Sequence, residues 1–135
     1  TGEPQLRDLG FIVKSPKGWT EVKRANRYVM TTPRAHVPLP RFVHESDDFR
    51  LELECLPHPL RDSLLLNYRL EGEDLKLYVL VAPHLGGEQT DNHAEANDDL
   101  SARRGPLALC VRADGGFSRS SAGFVGASVR PVCCR

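Results

Sequence analysis

The chain has 135 residues, 18 basic and 18 acidic side chains, and a hydrophobic share of 40%. That length suits one domain or part of one, and the hydrophobic share excludes the core-poor composition of a disordered chain. Zero net charge excludes a global field that would draw in nucleic acid or an anionic membrane, and the longest apolar runs fall far short of the roughly 20 residues of a membrane helix.

In chain order, Thr1-Gly2-Glu3-Pro4-Gln5 lacks the basic start and apolar core of a signal peptide. The apolar run Leu9-Gly10-Phe11-Ile12-Val13 ends in the turn formers Lys14-Ser15-Pro16-Lys17-Gly18, and Trp19-Thr20-Glu21-Val22-Lys23 then alternates. This pattern predicts a hairpin. Residues 27–32 add a β-branched and aromatic strand that Pro33 stops. With Pro38 and Pro40, residues 37–41 suit an edge or an extended connection.

From Phe49 the period is two: Phe49, Leu51, Leu53 and Cys55 share one face, and Arg50, Glu52 and Glu54 share the other. After Pro57-His58-Pro59, residues 62–70 place Leu64, Leu66, Tyr68 and Leu70 on a single face. Residues 75–82 are apolar on both sides, with Leu75, Leu77, Val79 and Val81 forming one row, which predicts a strand buried on both faces. Residues 86–100 read as a long polar loop. Strands are expected at 107–111, at 117–119 and at 124–129. No helix is expected. The tail 130–135, with Cys133 and Cys134, shows no strand pattern and is expected outside the fold.

Short strands without helical spacers argue for an all-β, antiparallel sandwich or barrel. Cys55, Cys110, Cys133 and Cys134 match neither a disulfide-rich miniprotein nor a zinc knuckle, and are expected to be free thiols.

Three stretches resemble the amino-terminal domain of the glucoamylases and glucodextranases of glycoside hydrolase family 15. They are Arg7-Asp8-Leu9-Gly10-Phe11-Ile12-Val13, then residues 75–87 with Tyr78-Val79-Leu80-Val81-Ala82-Pro83-His84-Leu85 as the most specific match, and Ser120-Ser121-Ala122-Gly123-Phe124-Val125-Gly126. Glu21-Val22-Lys23-Arg24 and residues 57–66 look similar to the family's charged strand end and its proline-arginine-aspartate turn. The resemblance implies a galactose mutarotase-like, antiparallel super-β-sandwich over residues 5–129, incomplete because the family's domain is considerably longer, with residues 130–135 as a non-family tail. It also implies a helical catalytic barrel as partner and an α-glucan as the parent enzyme's substrate. In the family the catalytic glutamates lie in that barrel, so no catalytic, cofactor or metal residue is assigned to this chain. The expected function is that of a non-catalytic accessory domain fragment of a glucan 1,4-α-glucosidase-type enzyme in carbohydrate catabolism. The alternative is a stand-alone sugar-binding or mutarotase-like module, which needs a concave polar site.

Residue by residue, bland roles are expected. Glu52 and Glu54 have the chemistry of a hydrolytic pair but lie on the polar strand face. Asp47-Asp48 and Asp98-Asp99 offer oxygens to calcium without matching an EF-hand loop, so solvated loops are expected and calcium is left to the parent enzyme. His36, His44, His58, His84 and His93 are scattered, and His84 stands out because it follows a buried strand. Trp19, Tyr28, Tyr68 and Tyr78 have faces that suit sugar rings. Core packing is the expected fate of all four, with Trp19 the position best placed for exposure beside the Gly18 turn.

Overall fold

A computed structural model describes residues 2–25 and 27–123 and the backbone of 132–134. The strand expected at 124–129 lies outside the described residues. The chain divides into two compact units, one made of residues 1–12 and 76–135, the other of residues 13–75. Strands dominate both, and the one helical element among the described residues is a 3-10 turn, Leu85–Gly87. The fold is all-β and its registered strand pairs are antiparallel.

In the first unit, the start of β1 (Leu6–Ser15) neighbours β7 (Lys76–Pro83), as the run of branched apolar residues in both strands favours. Strand β7 buries Leu77 and Val79 and keeps Tyr78, Leu80 and Val81 half-buried, as expected for the row at 75–81. On its other side β7 pairs with β12 (Val132–Cys134), where Val132 faces Val79, and β12 pairs with β11 (Phe117–Arg119). Residues 132–134 of the tail, expected outside the fold, are therefore part of this sheet. Three residues are too few to show a period, which is why the strand was not visible in the sequence.

The expected loop at 86–100 is also corrected. It holds β8 (His93–Ala96), and β9 (Leu100–Arg104) begins at its end; with β10 (Leu107–Val111) they form a sheet of order β10-β9-β8. Leu100 and Ala102 are its buried residues. On the face that carries Leu100 and Ala102, β8 presents only Ala94 and Ala96, and alanine has weak strand preference, so the alternation carries little signal.

The second unit starts with the predicted hairpin, the end of β1 turning through Pro16 and Lys17 into β2 (Gly18–Glu21). A four-stranded meander follows, β3 (Tyr28–Thr31), β4 (Arg41–Glu45), β5 (Phe49–Pro57) and β6 (Leu64–Gly72), paired in that order. Strand β4 was not expected. Pro38 and Pro40 precede it rather than interrupt it, so its N–H groups remain available to the ladder. Cross-strand register places Tyr28, Met30, Phe42, His44, Phe49, Leu51, Leu53, Leu64, Leu66, Tyr68 and Leu70 on one face of this sheet. Val13, Val22, Phe49 and Leu51 form the buried core of the unit. Cys55 and Cys110 are free thiols, and burial pushes the Cys55 thiol pKa up.

Candidate functional site

The second unit carries a depression of about 230 Å³ between the β1–β2 turn and the β4–β5 turn, lined among others by Ser15, Lys17, Trp19, Arg27, Asp47 and Asp48. Its floor is built from the serines at each turn. Ser46 Oγ donates to Asp48 Oδ1 at 3.0 Å and accepts from the Phe49 N–H at 3.3 Å, a short side-chain-to-backbone loop that serine and aspartate favour. Ser15 is buried, and its Oγ accepts from the Lys17 N–H at 3.3 Å. The hydroxyls of Ser15 and Ser46, with the charge of Lys17, hold the Asp48 carboxyl below the usual carboxylate range. Asp48 is thus fixed and ionised.

Trp19 stands beside this carboxylate. The expectation of core packing is corrected: Trp19 is 55% exposed, because β2 is only four residues long and begins at a turn glycine with φ 142°. Lys14 Nζ lies 5.4 Å from the Trp19 ring centroid, a cation–π contact that steadies the ring. Tyr28 and Tyr68 are also exposed rather than packed, while Tyr78 is half-buried.

The other expected positions do not converge. Glu54 is held by Arg41 across β4 and β5, and Glu52 by Arg50 at 2.7 Å, so the pair forms an ion-paired sheet surface. Asp99 accepts from Arg112 at 2.9 Å and 2.6 Å, which keeps its pKa low. A general acid needs a raised carboxyl pKa, and Asp48 and Asp99 are both shifted the other way. Among the described residues no three His, Cys, Asp or Glu side chains cluster as a metal site. The histidines remain scattered. His44 is buried beside Tyr28, with its pKa lowered by burial; His58 Nδ1 accepts from the Leu60 N–H; His84 precedes the 3-10 turn, its N–H bonded to the Gln5 carbonyl at 3.1 Å.

Sequence reasoning identified Asp47, Asp48 and Trp19 singly but not as one site. The partners that unite them, Ser15 and Ser46, are far apart in the chain and carry no motif.

The sequence profile of the family described as glucodextranase, domain N, matches residues 1–130. No curated protein matches the chain. Among solved structures, a crystal structure of a bacterial glucoamylase complexed with acarbose is similar, with a TM-score of 0.67 and 18% sequence identity. The match covers 74% of this chain and 17% of that one, so the chain spans about a sixth of the length of its structural relative. At that identity the likeness shows the fold, an all-β sandwich domain.

Proposed function

The chain belongs to the glucodextranase domain N family, and from that membership we propose that it is a non-catalytic accessory domain of a glucoamylase-type glycoside hydrolase in carbohydrate catabolism. Its role is to stabilise and orient a separate catalytic barrel.

The observation that carries this reading is the apolar face of the β3–β6 sheet. On the central strand β5, Phe49 and Leu51 are 4% and 1% exposed, but Tyr28 and Met30 on the edge strand β3 are 57% and 62% exposed, and Leu64 and Tyr68 on the other edge strand β6 are 54% and 43% exposed. An apolar sheet face left open along both of its edge strands marks an interaction surface. The occupant proposed here is the remaining polypeptide of the parent enzyme, because the similar glucoamylase is several times longer than the matched region.

The test is expression of the chain alone and fused to a family 15 catalytic barrel, with glucose release from maltooligosaccharides as readout. The fused enzyme is expected to release glucose, the isolated chain none. Met30→Lys with Leu64→Lys is expected to lower the melting temperature of the fused enzyme. Glucose release by the isolated chain, abolished by replacing one of its own acids, would overturn the non-catalytic reading.

A further inference from the structure

The Trp19 depression has a composition that selects its ligand. Two cations, Lys17 and Arg27, and two carboxylates, Asp47 and Asp48, line it together with one exposed aromatic ring. An inorganic anion would meet two carboxylates and a metal ion two cationic side chains. A neutral ligand that both donates and accepts satisfies all four. Lysine and arginine only donate, ionised aspartate only accepts, and a hydroxyl does both. The flat ring adds an apolar surface that matches the C–H face of a pyranose. At about 230 Å³ the depression is smaller than the roughly 300–1,000 Å³ of a drug-sized site, which suits one sugar unit of a longer chain entering an open groove.

We infer that this depression is a carbohydrate-binding subsite, in which Trp19 stacks on a glucosyl unit of an α-glucan while Asp47, Asp48, Lys17 and Arg27 bond its hydroxyls. Two features prepare it. Ser15 and Ser46 hold the Asp48 carboxylate ionised, and the Lys14 ammonium steadies the ring, so little side-chain freedom is lost on binding. The neutral pyranose follows from the site itself, whereas the choice of an α-glucan rests on the proposed accessory role in a glucoamylase-type enzyme.

Trp19 is the sole tryptophan of the chain, so its fluorescence reports on the site directly. The full chain is titrated with maltotriose, with cellotriose and with inorganic phosphate, and the same ligands are followed by amide chemical shifts. Maltotriose is expected to give a saturable fluorescence change in the millimolar range, with shifts at residues 15–20 and 46–48. Asp47→Ala, at an exposed loop position, is expected to weaken binding about tenfold, the loss of one charged hydrogen bond. Trp19→Ala should retain the parent's melting behaviour and lose the maltotriose-induced shifts. Failure of maltotriose to bind, a response to cellotriose alone, or saturable binding of phosphate in its place would each overturn the inference. The sugar titration is read on this chain alone and the accessory role on the fused enzyme, so failure of the one is distinguishable from failure of the other.

Discussion

Arg41 and Glu54 stand directly opposite each other on β4 and β5, and the Arg41 guanidinium donates to Glu54 Oε1 through Nε at 2.8 Å and through Nη2 at 2.5 Å. This contact occupies the Glu54 carboxylate. With Glu52 paired to Arg50 at 2.7 Å, Glu52 and Glu54 form an ion-paired surface of the sheet. The side chains of Arg41 and Glu54 are both more than a third exposed, and solvent screens such pairs. A double-mutant cycle of Arg41→Ala and Glu54→Ala, read by denaturant unfolding, is expected to give a coupling of no more than about 1 kcal/mol.

The acid limb of the stability curve should carry the signature of Asp99. Its carboxyl is held low by the hydrogen bonds and charge of Arg112. A folded pKa below the unfolded one means that the pair contributes fully above the ordinary carboxylate value of about 3.9 and is lost as pH falls through the depressed value. Asp99→Asn should therefore melt below the parent at neutral pH, and the difference should close on acidification through that window. A difference that persisted unchanged at the acid end would mean the carboxylate is not the source.

Backbone strain at the edge of the candidate site yields a sharper contrast. Gly72 has φ 146°, and a Cβ there would lie 2.6 Å from the Asp48 carbonyl oxygen and 2.6 Å from Leu75 Cδ1. Gly18 has a similar φ of 142° but open space around it. Both alanine variants force an unfavourable conformation, and only Gly72→Ala also pushes on the backbone of the Ser46–Asp48 loop. Gly72→Ala is expected to cost about 1–3 kcal/mol in thermal or denaturant unfolding, and more than Gly18→Ala.

Strand β7 shows what was legible in the sequence. Its residues are apolar on both sides, and the structure buries Leu77 and Val79 while flanking β7 with β1 and β12. Where one strand face is mostly alanine, as at Ala94, Ala96 and Ala102, hydrophobic alternation fades and the strands read as loop. Where prolines crowd the start of a strand, as at Pro38 and Pro40 before β4, local signals point to a connection although the ladder begins one residue later. The turn at Gly18 marked Trp19 as the aromatic best placed for exposure, but the exposure of Tyr28 and Tyr68 was not legible because period assigns a residue to a face and does not say whether that face is covered. The site itself was hidden for a related reason. Ser15 and Asp48 meet through the tertiary fold, and nothing local to either residue announces the other.

Val79→Asp tests the β7 assignment. The site is buried, so the new carboxylate would lose its hydration. The expected cost is about 3 kcal/mol or more, seen as a large fall in melting temperature. A variant that melted within a degree of the parent would mean that the 75–81 row does not face the core.

The sheet face that supports the accessory role also predicts how the isolated chain behaves. Phe49 and Leu51 on the central strand β5 are buried, whereas Tyr28 and Met30 on the edge strand β3 and Leu64 and Tyr68 on the edge strand β6 remain open to solvent. Burial of such side chains is worth roughly 25 cal/mol per Å² of apolar surface, so in the absence of the catalytic barrel two copies gain by pressing these faces together. The weight-average mass in sedimentation velocity is therefore expected to rise with concentration. Met30→Lys with Leu64→Lys should abolish that rise and leave the melting temperature of the isolated chain nearly unchanged, because neither side chain is part of its buried core. The same double variant should weaken the fused enzyme, where the proposed accessory role has the face covered. A parent chain that stays monomeric across the accessible concentration range would mean that these four side chains do not form a docking surface, and the accessory reading would lose the observation that carries it.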